Sequence, residues 1–95
     1  MELGIEGRHA LVTGGSLGIG RQTAAGLAAA GVDVAIVARD AARLADVAGE
    51  LDEANSGRVV AIPGDMSKPD DIERVIAGAR EALGAIDILV NNAGS

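Results

Sequence analysis

The 95 residues include no phenylalanine, tyrosine or tryptophan, no cysteine, one histidine and two prolines. Each shortage excludes something. Without aromatic rings the chain cannot stack unpaired bases, the usual device for holding single-stranded nucleic acid, and its core must be aliphatic. Without cysteine there is no disulfide framework, thiolate metal site or cysteine nucleophile, a composition suited to a reducing compartment. His9 alone is too little for a zinc cluster. No apolar run approaches the roughly 20 residues that span a bilayer. The opening Met-Glu-Leu-Gly-Ile-Glu has neither the basic region nor the apolar core of a signal peptide. A soluble, cytoplasmic chain with no membrane partner is the expectation. Positive charge is scarce as well: eight Lys and Arg stand against 14 Asp and Glu, a net charge of −6, which opposes a nucleic-acid partner. The length allows at most one small domain.

Glycine, by contrast, is plentiful, and its densest cluster organises the rest. Residues 13–20 read Thr-Gly-Gly-Ser-Leu-Gly-Ile-Gly. They join an apolar run, His9 to Val12, to a segment in which Ile19, Thr23, Leu27 and Ala30 recur at the helical period. Glycines permit backbone conformations closed to other residues, and the first N–H groups of a helix point at whatever anion approaches. Strand, glycine turn and helix in that order suit a phosphate-binding turn. The spacing departs from Gly-x-Gly-x-x-Gly, however, and taken alone it serves a structural strand-to-helix turn equally well.

Along the chain the pattern repeats. Residues 1–7 are a lead-in that nothing obliges to be ordered, and residues 8–13 form a first strand. A helix follows over about 18–30, its small residues Gly20, Ala24 and Ala28 suited to close packing on a sheet, and Gly31 stops it. Residues 32–38, nearly all apolar, read as a strand buried on both faces. Asp40 is suited to cap the next helix, which carries a stripe of Leu44, Val47, Ala48 and Leu51 and ends at Asn55, Ser56 and Gly57. Residues 58–62 form a third strand, closed by Pro63 and Gly64. Ser67 is expected to cap a third helix whose inner face is Ile72, Val75, Ile76, Ala79 and Leu83, with Asp70 and Asp71 complementing its dipole. Residues 86–91 are a fourth strand.

The order β-α-β-α-β-α-β with short connections predicts an α/β domain, a doubly wound parallel sheet with right-handed crossovers and strand order 3-2-1-4. A crevice is expected where the winding reverses. Thr13, Arg39, Asp65 and Asn92 end their strands on one rim.

Four segments in sequence resemble the short-chain dehydrogenase/reductases, in particular the branch that includes the β-ketoacyl carrier-protein reductases. They are Thr-Gly-x-x-x-Gly-x-Gly at 13–20, Ala38-Arg39-Asp40, Gly64-Asp65-Met66-Ser67, and Asp-Ile-Leu-Val-Asn-Asn-Ala-Gly at 87–94. Together they cover essentially the whole chain. The resemblance implies a partial Rossmann-type fold and an NAD(P)-binding role for residues 1–95. Gly14, Ser16, Leu17, Gly18, Ile19 and Gly20 would cradle the pyrophosphate and adenosine ribose. Asp65 and the Met66 backbone would hold the adenine, and Asn92, Ala93 and Gly94 would line the ribose and nicotinamide pocket, with Asn91 tying neighbouring strands together. Arg39 stands near the place where an acidic residue would bind the ribose hydroxyls of NAD. Its guanidinium matches a phosphate by charge and by its forked donors, which favours NADP over NAD. Many members with that preference carry a second basic residue in the glycine turn, where this chain has Leu17, and Asp40 either pairs with Arg39 or caps its helix.

Arg21 reads as a solvated helix residue, His9 as structural, and Arg43, Asp46, Glu50, Glu73, Arg74, Arg80 and Glu81 as exposed helix faces. Of the family's catalytic Ser, Tyr and Lys none can be assigned, so no catalytic or metal-binding residue is named. The expectation is the cofactor-binding front half of an oxidoreductase that moves hydride between NADP(H) and a carbonyl or secondary alcohol, inactive as 95 residues. The alternative is a non-enzymatic nucleotide-binding or interaction module. In either case strand four would expose an edge of Ile86, Ile88 and Val90 through which copies could associate.

Overall fold

The computed structural model describes residues 5–14, 18–55 and 57–92. Seven elements alternate: β1 His9–Thr13, α1 Gly18–Ala29, β2 Asp33–Ala38, α2 Ala41–Ala54, β3 Val59–Pro63, α3 Pro69–Leu83 and β4 Ile88–Asn91. The four strands form one parallel sheet in the order β3-β2-β1-β4, as the alternation predicts. β1 pairs on both sides, with Thr13 opposite Val37 of β2 and Asn91 of β4. Three strands therefore end at one level.

Period-two alternation divides the sheet between two cores. Ala10, Val12, Val34 and Ile36 point to the face covered by α1 and α2, where they meet Ala24, Ala28, Leu44, Val47 and Leu51. Leu11, Ala35 and Val37 point to the opposite face and meet Val75, Ala79 and Leu83 of α3. Gly20, Ala24 and Ala28 are the buried positions of α1, so the small-residue face packs inward as the four-residue spacing requires. Asp40 caps α2, its side chain accepting from the Arg43 backbone N–H at 3.1 Å.

Four expectations need correction. Ser67 does not cap α3: Lys68 occupies the cap position without a side-chain hydrogen bond. With α3 starting at Pro69, Ser67 stands one residue outside the cap position, and its hydroxyl donates to Asp65 Oδ1 at 2.6 Å within the turn that precedes the helix. The lead-in is tied down from Ile5 onward, where Ile5 packs on the first core and the Gly7 N–H donates to the Gly31 carbonyl at 3.1 Å. β4 begins at Ile88 rather than residue 86, because the His9 N–H is taken by the Asp87 carboxylate at 3.0 Å and not by a strand carbonyl. Finally, Ile88 and Val90 are half-buried against the first core and Ile86 against the second. The exposed apolar side chain of the edge strand is Leu89, 66% exposed, because α3 packs on β2 and β3, meets β1 through Leu11, and stops short of β4.

Three substitutions test this packing. Leu44 is fully buried, so Leu44→Ala should cost about 2–5 kcal/mol, a large part of the roughly 5–15 kcal/mol that stabilises a domain. An unchanged urea midpoint would contradict the assignment. At Gly57, which donates to the Ala28 carbonyl at 3.0 Å, an added Cβ would overlap the Val32 carbonyl. Gly57→Ala should therefore lower the melting temperature, while Gly49→Ala, where a Cβ meets open space, should raise it slightly.

Candidate functional site

The carboxyl ends of all four strands open on one cavity of about 720 Å³, within the usual range for a cofactor site. Its floor is the end of β1. Gly14 adopts φ +74 and donates its N–H to the Val37 carbonyl at 2.7 Å. A Cβ on Gly14 would press on the Asn92 carbonyl group at 3.2 Å. The Asn92 N–H reaches the Thr13 carbonyl at 3.2 Å, and the Thr13 hydroxyl donates to Asn91 Oδ1 at 2.9 Å. Asn91 thus ties β4 to β1, the structural role expected of it.

One wall is the first turn of α1. Gly18, Ile19 and Gly20 all line the cavity, and Gly18, at φ +48, has nothing within 4 Å of where a Cβ would stand. The backbone here is open to close approach. The leading N–H groups of a helix have no intrahelical partner, so this wall offers donors. Ile19 is 68% exposed, an apolar side chain on the cavity with no cover.

The opposite wall comes from the turns after β2 and β3. Val37, Ala38, Arg39 and Asp40 contribute on one side, and Gly64, Asp65, Met66 and Ser67 on the other. Gly64 links the two, its N–H donating to the Ala38 carbonyl at 3.0 Å. A Cβ there would stand 2.6 Å from Val75 Cγ2, so the β3 turn sits directly on α3. Asp65 Oδ1 accepts from both the Ser67 hydroxyl and, at 2.9 Å, the Ser67 N–H. These two bonds, the hydroxyl first, hold the Asp65 carboxyl below its ordinary pKa, with smaller contributions from the charges of Arg39 and Lys68. It stays a carboxylate, and a hydrogen-bond acceptor, at neutral pH.

Of the residues singled out from sequence, Gly14, Gly18, Ile19, Gly20, Arg39, Asp65, Met66 and Asn92 surround this one cavity. Ser16, Leu17, Ala93 and Gly94 lie outside the described residues. Arg21 pairs with Glu50 at 2.6 Å, and His9 Nδ1 lies 2.9 Å from the Ala85 carbonyl; neither lines the cavity. Sequence reasoning missed Arg43, which does. The available signal was its place three residues after the Asp40 cap, in the helical turn nearest the rim. Among the described residues no group of three His, Asp or Glu is arranged to hold a metal, and no helix is long and apolar enough to cross a membrane.

Comparison with known proteins agrees with this architecture. At 47% identity over 91 residues, the chain is similar to the rhamnolipids biosynthesis 3-oxoacyl-[acyl-carrier-protein] reductase of Pseudomonas aeruginosa, covering 96% of this chain and 35% of that protein. Among solved structures, L-sorbose reductase from Gluconobacter frateurii, complexed with NADPH and L-sorbose, superposes with a TM-score of 0.94 at 40% identity, over 100% of this chain and 36% of that one. The Pseudomonas aeruginosa RhlG/NADP active-site complex matches with a TM-score of 0.87 at 47% identity, over 96% and 36%. The chain spans about a third of the length of the curated relatives it matches, from 29% to 35% in the first three. The sequence model of the short chain dehydrogenases matches residues 8–95, and with the fold and the glycine-turn cavity described above it establishes that this chain belongs to the short chain dehydrogenase family.

Proposed function

We propose that the cavity binds NADP(H), and that residues 1–95 are the cofactor-binding portion of an oxidoreductase acting on a carbonyl or secondary alcohol. The observation that carries this reading is the convergence of three chemically distinct groups on one cavity: an open glycine turn, an arginine and a carboxylate. The two solved relatives named with NADPH and NADP support it. When bound, the nicotinamide gives or takes the hydride.

The chain's own residues fit that group. Gly18, Ile19 and Gly20 would supply the unpaired N–H groups of the first turn of α1, and Gly14 and Gly18 would leave room for a pyrophosphate, room that a side chain at Gly18 would fill. Arg39 would take the 2′-phosphate of the adenosine ribose, while Asp65 would accept from the adenine amino group beside the Met66 backbone. By the resemblance to the family, Asn92, Ala93 and Gly94 would line the nicotinamide end, and Ser16 and Leu17 would belong to the pyrophosphate cradle. The net charge of −6 makes each guanidinium on the cavity costly to forgo, since the rest of the molecule repels a multiply charged anion. The 95 residues alone bind cofactor without turning over a substrate.

Calorimetric titration of the chain with NADPH and NADH tests this. NADPH should bind more tightly, and Arg39→Ala should weaken NADPH by about 10- to 100-fold, the value of a charge-assisted hydrogen bond, leaving NADH unchanged. Failure of a folded chain to bind either nucleotide would sink the proposal. Ser67→Ala supplies a pH test. A carboxyl with a depressed folded pKa contributes stability above its unfolded pKa and loses it as pH falls through the folded value. Removing the Ser67 hydroxyl should therefore raise the Asp65 pKa, read by carboxyl carbon NMR, and move its acid transition to higher pH. An Asp65 titration identical in both proteins would contradict the hydrogen-bond cause.

A further inference from the structure

We propose that Arg43 is a second reader of the 2′-phosphate, acting with Arg39 as a two-guanidinium clamp; the inference rests on the NADP(H) reading above. Three observations lead to it. Arg39 and Arg43 are the two arginines that line the cavity. Among the described residues neither guanidinium makes an ion pair or hydrogen bond, whereas Arg8, Arg21 and Arg74 are paired with Asp87, Glu50 and Asp71. In a chain with more than enough carboxylates, two open cations on one cavity are a pattern of placement.

The second observation is a broken local rule. Arg43 is the third residue of α2 after its Asp40 cap, a position where the helix dipole and the capping box both favour an acid. α3 obeys the rule with Asp70 and Asp71 in its first turn; α2 has no acid there. Departures from local preference concentrate where function requires them.

The third is charge balance. A phosphate monoester carries about −1.5 to −2 at neutral pH, more than Arg39 alone neutralises. Asp40, between the two arginines, would oppose the anion, but its Oδ1 is engaged by the Arg43 N–H at 3.1 Å. A second guanidinium on the same wall offsets it. Arg43 thereby supplies the basic partner that the glycine turn, with Leu17, lacks.

The test is calorimetry of the full chain with NADPH, NADH, adenosine 2′,5′-bisphosphate and ADP. Arg43→Ala should weaken NADPH and the 2′,5′-bisphosphate by about 3- to 10-fold, leaving NADH and ADP within twofold, and Arg43→Lys should recover part of the loss. Arg43→Glu separates binding from folding. It completes a capping box with Asp40, so the melting temperature should hold or rise, while NADPH affinity falls further than in Arg43→Ala. Should Arg39→Ala lose NADPH affinity while Arg43→Ala and Arg43→Glu keep it, the clamp is overturned and the cofactor reading stands. Equal affinity of the unaltered chain for NADPH and NADH overturns both.

Discussion

Everything at the site depends on the parallel register at the end of β1. Because β1 is paired on both sides, Thr13 meets Val37 and Asn91 at one level, and the chain can leave the sheet there only by passing between its two neighbours. Gly14 makes that exit, with φ +74, a hydrogen bond to Val37 and a backbone contact with Asn92. A Cβ would have to fit against the Asn92 main chain, from a backbone conformation that side chains rarely allow. The same bonds that close the sheet therefore clear its end, and the space above becomes the cavity.

Packing follows from that arrangement. With α1 and α2 on one face and α3 on the other, an aliphatic core without a single aromatic ring is enough: α1 packs on the sheet through Ala24 and Ala28, α2 through Leu44, Val47 and Leu51, and α3 through Val75, Ala79 and Leu83. The buried face of α1 is small throughout, Gly20, Ala24 and Ala28, and its first turn, like that of α2, reaches the cavity at the carboxyl ends of the strands.

That link explains what could be read from the sequence. Strand order was legible because the glycine turn marks the central strand and short crossovers leave few alternatives, and the Asp40 cap because its competitors for the Arg43 N–H are absent. Ser67 was misread because α3 begins at Pro69, which puts Lys68 at the cap position and Ser67 one residue outside it, bonded to Asp65 in the β3 turn. Leu89 was overlooked because which face of β4 lies uncovered depends on the lateral extent of α3. Arg43 escaped because a helical stripe divides residues into buried and solvated, and says nothing of which solvated positions overhang a cavity.

The rim also shows how a small domain reconciles stability with recognition. Asp65, Asp40 and Arg43 are local structural residues by their bonds: one organises the β3 turn, one caps α2, and one donates its N–H to that cap. Each of these bonds uses main-chain groups or a single carboxylate oxygen, and each leaves a charged end of the side chain toward the cavity. A helix that accepts a cation in its first turn gives up part of its favourable dipole energy, a small sum against a core of buried aliphatics. The stability of the interior is what allows the rim to be arranged for charge instead of for itself.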